Sequence, residues 1–346
     1  MLFASPCRFY NKNIKAADSA PSRRVVMGKY LLKRVGQMVI VVFIVTLLTF
    51  FLVDMVPGDI VINVAGTDDL TEEEYDKIYH DLNLDKSTAT RYVIWLKNLL
   101  HGDLGYSYVY RRPVWTMLKE KIPTTLYLSF LSMLISVPLG VIFGSISAIR
   151  RKKPSDTIIT LIANICNCLP QFWIGIMLML FFSFRHNWLP SIGFGWPARV
   201  GWARHIKTII MPVLCVSLGG IAGFTRQTRS AMLEVIRQDY IRTARSKGLS
   251  RGKVNFKHMI RNGLIPIVTI LGSRIARMLS GSMIVENVFS IPGMGLLAMT
   301  SINMKDIPCI QAIVFISTLV ACTAYILTDV LYVLVDPRIS LDDSAD

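Results

Sequence analysis

The segment DYIRTARSKGLS, Asp239 to Ser250, sets a short basic stretch between two long apolar ones. Treated as helix from Glu234 to Gly248, it places Leu233, Ile236, Tyr240 and Ala244 on one side. Arg237, Arg242, Arg245 and Lys247 project elsewhere. Gly248 suits a left-handed C-terminal cap, and basic residues in a last turn complement the helix dipole. Asp239 to Lys247 would be only about 13 Å long at 1.5 Å per residue. That length fits a groove on a partner. Charge alone leaves two readings open: a basic loop lying against anionic lipid, or a short plug gripped by another protein.

A second set of candidates are charges within or at the ends of apolar runs, where ionised groups are costly and rarely idle. They are Asp54, Arg274, Arg277, Glu286 and Asp329. Arg274 and Arg277 are three apart and share a helix face. They could line a path and attract carboxylates, whose geometry an arginine fork matches. Alternatively they pair internally, for instance with Asp329, or reach into a partner interface. Glu286 and Asp329 join them as candidate path residues.

Other chemistry is excluded by what is missing. No G-x-x-x-x-G-K-[ST] or H-E-x-x-H occurs, and Gly193-x-Gly195 lacks a third glycine. Cys166-x-Cys168 has no partner ligands, and the six cysteines imply no disulfide framework. The five histidines are dispersed. No catalytic residue, resident cofactor or metal site is expected, and an intramembrane enzyme is a poor hypothesis. A secondary transporter would need ion-coupling carboxylates and often inverted repeats, and neither stands out.

The elements that must position these residues follow from composition. Of 346 residues, 52% are hydrophobic and 18% charged, with a mean hydropathy of +0.47. Soluble domains carry roughly 25% charged residues, so a polytopic membrane protein is implied. Apolar runs lie at Val35 to Val56, Leu126 to Ile149, Ile158 to Phe184, Ile206 to Phe224, Leu264 to Val285 and Ile310 to Val335. Each is long enough for a spanning helix of about 20 residues. The expected fold is all-α, with six transmembrane helices.

With the N-terminus inside, the inner segments carry eight, four, ten and one Lys or Arg, against eight, four and one outside. The positive-inside rule then puts both termini in the cytoplasm and accounts for the net charge of +15 without nucleic acid. The expected units are an N-terminal extension (1–26) without order, a first helix (27–56), an extracytoplasmic insertion (57–122), a permease core (123–336) and a tail (337–346). The core includes a cytoplasmic loop at 225–263. Thr71 with Glu74 forms a capping box opening a helix in the insertion. Tyr92, Trp95, Leu96 and Leu99 follow on one helical face. Pro138, Pro170 and Pro212 interrupt spanning helices. Gly140-x-x-x-Gly144 and Gly219-x-x-x-Gly223 are close-approach motifs, more often internal packing than a dimer seam.

From Met27 onward the chain resembles the permeases of bacterial ABC importers, in the dipeptide, oligopeptide and nickel branch. The segment DYIRTARSKGLSRGKVNFKHMIRNGLIPIVTILG resembles the cytoplasmic signature loop. The general frame of Glu-Ala-Ala, three residues and Gly reads here as Arg242, Thr243, Ala244 and Gly248. Further matches are VPGD at Val56 to Asp59, GDLG at Gly102 to Gly105, LPQFWIGIMLMLFF, VENVFSIPGMG and DVLYVLVDPRI. The branch usually has small, apolar or amide residues where Arg274 and Arg277 stand.

The resemblance implies a pore made with a second homologous permease, in the bacterial cytoplasmic membrane among its lipids. Two cytoplasmic ATPase subunits would bind ATP and Mg beneath it, and an extracytoplasmic solute-binding protein would deliver cargo. The basic helix would be the coupling helix, with Asp239, Tyr240, Arg242, Thr243, Ala244, Arg245, Lys247 and Gly248 at the ATPase contact. Asp103, Trp95 and Trp115 could touch the binding protein, or belong to a cap on the chain's own pore. Peptides are the commonest cargo of the branch; nickel chelates, glutathione and sugars also occur.

Overall fold

The computed structural model describes residues 23–55, 61–62, 70–254, 259–260, 263 and 283–335. The first helix, α1, runs Arg23–Asp54, starting four residues before the expected boundary at Met27. Two short helices follow, α2 at Glu72–Asp81 and α3 at Thr88–Leu100. The capping box forms as read: the Thr71 hydroxyl accepts from the Glu74 amide, and Glu74 accepts from the Thr71 amide at 3.2 Å. A two-stranded ribbon, β1 (Tyr106–Ser107) and β2 (Arg112–Pro113), pairs antiparallel. It leads into α4, Val114–Ile149.

Helix α5, Pro154–Cys168, and α6, Gln171–Leu178, then form a bent pair. A π-helical turn, Met179–Arg185, extends α6. Next come α7 (Trp202–Ile236), α8 (Asp239–Ser246), α9 (Met294–Asn303) and α10 (Ile307–Val335). Among the described residues, four helices are long and apolar enough to cross a membrane: α1, α4, α7 and α10. The bent pair, from Pro154 to Arg185, makes a fifth when counted as one span. Of the expected fifth run, Leu264 to Val285, only 283–285 are described, and they are helical.

The expected third span is not one straight rod. It bends by 101° between Cys168 and Gln171. Pro170 supplies no amide and pushes its predecessor out of the α region; Leu169 sits extended at φ −75° and ψ 133°. Pro138 and Pro212, by contrast, lie inside unbroken helices, correcting the expectation that they interrupt them. The reason is packing. Helices α4 and α7 lie along each other, so their directions are set from outside the single lost hydrogen bond.

Glycine makes that seam possible. A methyl group at Gly140 would overlap Cβ of Phe224, and one at Gly144 would approach Cβ of Thr228 to 2.5 Å and the Thr225 carbonyl to 2.6 Å. The motif Gly140-x-x-x-Gly144 therefore packs within the chain. In the second motif the close approach belongs to Gly220, against Ser136, rather than to Gly219. Buried serines add polar ties along the same seam. Ser217 donates to the Ser132 carbonyl (3.2 Å) and Ser132 to the Val213 carbonyl (3.4 Å).

One core cluster joins Leu128, Ile174, Met211, Val216 and Phe289 in the middle of the bundle. At one end Leu104, Val114, Leu118, Leu297 and Cys309 pack the ribbon and α4 onto α9 and α10. At the other end Ala148, Met232, Ile241, Ala244, Val254 and Met259 join α4, α7 and α8.

Candidate functional site

Helix α8 stands at the far end of α7, separated from it by a turn at Arg237 and Gln238. The expected single helix from Glu234 to Gly248 is thus two helices, and its faces change accordingly. Ile241 (1% exposed) and Ala244 (7%) face inward onto Met232 and Met259. Tyr240, expected on the apolar side, is 41% exposed. Asp239, Arg242, Thr243, Arg245, Lys247 and Gly248 are exposed as well. Ala244 therefore roots the helix in its own chain and presents no surface to a partner.

The helix ends as Gly248 dictates. At φ +77° the residue occupies the left-handed region, which costs an ordinary side chain roughly 1–2 kcal/mol. Its amide bonds the Arg245 carbonyl (3.0 Å), and that of Leu249 bonds the Ala244 carbonyl (3.4 Å). This pair of bonds is a Schellman cap. The accompanying apolar contact comes from Leu249 and Ala244, which share one cluster. No atom lies within 4 Å of a Cβ built at Gly248, so dihedral angle rather than crowding requires glycine.

A buried ion pair locks the base of this element. Arg229 of α7 donates from Nε to one oxygen of Asp156 (2.8 Å) and from Nη2 to the other (3.0 Å). Ser147 of α4 and the Lys152 amide also donate to Asp156, the latter at 3.0 Å. Asp156 is 5% exposed. A two-pronged guanidinium–carboxylate bond with further donors is the geometry in which a buried pair holds. It ties α4, α5 and α7 beside the α8 cluster. The sequence reading missed this residue. The available signal was one acid following the four bases Arg150 to Lys153.

Glu286 is not open to any path in this chain, contrary to expectation. It is fully buried, and its Oε2 accepts from the Gly295 amide (2.6 Å), capping the start of α9. The Met294 amide donates to Thr125 Oγ1 (2.8 Å), joining α9 to α4. The motif PGMG thus reads as a helix start whose exposed amides are satisfied by a carboxylate and a hydroxyl. Arg274 and Arg277 lie outside the described residues. So does the side chain of Asp329, whose backbone lies in α10.

At the opposite end the segment before α4 packs on its own chain. Ser107 Oγ donates to Asp306 Oδ2 (2.5 Å), and Tyr110 to Thr300 (3.1 Å). Tyr92 of α3 is buried against Phe50 of α1 and Trp95, and shares a hydrogen bond with Thr46 (3.1 Å). Asp103 accepts from the Gly105 amide (2.9 Å). Trp95 is therefore packed locally, while Asp103 stays exposed beyond that one bond. Trp115 remains 41% exposed, with Lys119 over its ring.

A helical bundle with a short, exposed, Gly-capped basic helix at one end has a family counterpart. Residues 140–341 match the family described as binding-protein-dependent transport system inner membrane component, and residues 27–129 match its N-terminal region. The chain belongs to this family. It is 36% identical to a putative peptide transport system permease protein of Brucella melitensis, over 92% of this chain and all of the relative. It is 34% identical to the dipeptide transport system permease protein DppB of Lactococcus lactis subsp. cremoris, over 91% of this chain and all of that one. The inward-facing MetNI methionine ABC transporter superposes with a TM-score of 0.52 at 15% identity, over 64% of this chain and 96% of that chain. That likeness speaks for the fold.

Proposed function

We propose that this chain is the pore-forming permease subunit of an ABC importer that moves peptides across the bacterial cytoplasmic membrane. The family match and the peptide-permease relatives support the transport role. Six spanning helices complete the bundle once Leu264 to Val285 is counted, with both termini inside, an outer insertion at 57–122 and an inner loop at 225–263. A second permease closes the pore, two ATPase subunits bearing ATP and Mg sit beneath, and a solute-binding protein delivers cargo outside. Arg274, Arg277 and Asp329 remain candidates for the path.

The observation that carries the mechanism is the build of α8. Ile241 and Ala244 fix it to α4 and α7, while Tyr240, Arg242, Thr243 and Lys247 stand clear. Closure of the ATPase pair pushes on those exposed side chains. Because the helix is packed and not tethered by a loose loop, the push reaches the spanning helices through Met232, Ala148 and the Asp156–Arg229 lock.

Replacing Arg242 and Lys247 by Glu tests this. The four-subunit complex is purified, and ATP-dependent peptide uptake is measured in proteoliposomes. The expected result is loss of copurifying ATPase or at least tenfold slower uptake, with folding of the permease unchanged. Normal assembly and uptake would refute the docking role of α8.

A further inference from the structure

Beside the Asp156 lock, on the α8 end of the bundle, lies a cavity of about 170 Å³. Ala148, Ile149, Leu233, Ile236 and Met259 supply apolar walls, and Arg151, Arg237 and Arg245 line the rest. The three arginines come from three elements: the turn after α4, the C-terminal cap of α7, and α8. None of their guanidinium groups makes a hydrogen bond or ion pair with the described residues. No acid lines the cavity: Glu234 and Asp239, which flank Arg237, are exposed and lie outside its lining. Residues 240–263 contain no Asp or Glu, and Asp156, the nearest acid after Arg151, is committed to Arg229. Three guanidiniums around one hollow repel each other unless an anion sits between them.

We propose that this cavity holds the phosphate of an anionic phospholipid from the inner leaflet. Three observations select a lipid over a dissolved anion or an acidic protein loop. The walls are apolar, which a free phosphate does not require. The floor is the last turn of a spanning helix, at the level where head groups lie, and Ile149 beside it is 42% exposed. The volume is below the roughly 300–1,000 Å³ of sites that enclose a whole small molecule. It therefore fits one end of a larger ligand whose tails stay in the bilayer. Basic pockets between membrane helices on the cytoplasmic side bind lipid head groups in this way. Arg245 then turns toward the membrane, while Arg242 and Lys247 on the same helix remain for the motor. The lipid would cement α8 to α4 and α7. The placement in the inner leaflet rests on the orientation proposed above, but the presence of the bound lipid does not.

The test uses the assembled transporter in nanodiscs of phosphatidylcholine with phosphatidylglycerol, and native mass spectrometry to count retained phosphatidylglycerol. The variant is Arg151→Gln with Arg237→Gln, which leaves α8 intact. Arg242→Gln is the control for the motor-facing side. Wild type and Arg242→Gln should retain the lipid, and the double variant should lose at least tenfold in occupancy. If the double variant does not assemble, each single substitution should give a partial loss. Equal retention in every form would overturn the proposal. So would displacement of the lipid by millimolar inorganic phosphate, which would mark a site for small anions. A crosslink from Arg151→Cys to the ATPase would do the same, by assigning the cavity to the motor contact. Failure of the uptake test for α8 would leave the lipid count standing, so the two ideas fail separately.

Discussion

Among single residues, Asp156 has the clearest energetic consequence. Its carboxylate receives both prongs of Arg229 along with a hydroxyl and an amide. Asp156→Ala would leave that guanidinium facing a half-buried site without its counter-ion. Removing one partner of a buried pair costs on the order of 3–5 kcal/mol. Arg229, whose side chain is 29% exposed, places this case at the low end, about 3 kcal/mol. Thermal unfolding of the detergent-purified permease should show the loss. Adding Arg229→Leu should recover part of it, because the orphaned charge is gone. A double variant as unstable as the sum of the singles would mean that the two side chains do not act as a pair. Glu286 carries the contrasting lesson: a buried acid near the end of an apolar run serves here as a helix cap.

At the scale of elements, the α4–α7 seam sets what the bundle can tolerate. Gly144→Val would drive a branched side chain into Thr228 and the Thr225 carbonyl. Overpacking of this kind typically costs about 1–3 kcal/mol. The expected outcome is lower expression and an earlier melt of the permease, while Gly36→Val, with open space around it, stays at wild-type stability. The sequence disclosed much of this layer. The capping box at Thr71 and the close approach at Gly140 and Gly144 are local or periodic signals, and both were legible. The 101° bend falls at Pro170, one of the three expected interruptions, but Pro138 and Pro212 read the same way because three prolines look alike in a sequence. Only the neighbouring helix decides whether a proline breaks or is carried. The split between α7 and α8 was hidden for a similar reason. Arg237 and Gln238 are ordinary helix formers, and the turn there comes from Ile241 folding back onto Met232. The Asp156–Arg229 pair joins residues 73 positions apart, a distance that periodicity does not encode.

On the scale of the whole molecule, contacts far apart in sequence hold the segment before α4 against the far helices. Ser107 meets Asp306 across 199 positions, at the junction of β1 with the start of α10. Burial raises the Asp306 carboxyl above its ordinary value, while hydrogen bonds from Ser107 and the Cys309 amide partly oppose the shift. A carboxyl raised in the folded state favours folding when protonated. Its contribution is complete below the unfolded value, near 3.9, and is lost as pH climbs through the raised folded value. The docked segment should therefore be held more firmly at mildly acidic pH than at neutral pH. Hydrogen exchange at the Tyr106–Val114 amides reads this directly: protection should fall as pH rises, after correction for the intrinsic exchange rate. Asp306→Asn keeps the shape without the charge, so its corrected protection should be flat over the same range. A wild-type profile as flat as that of the variant would show that the Asp306 charge has no part in seating the segment.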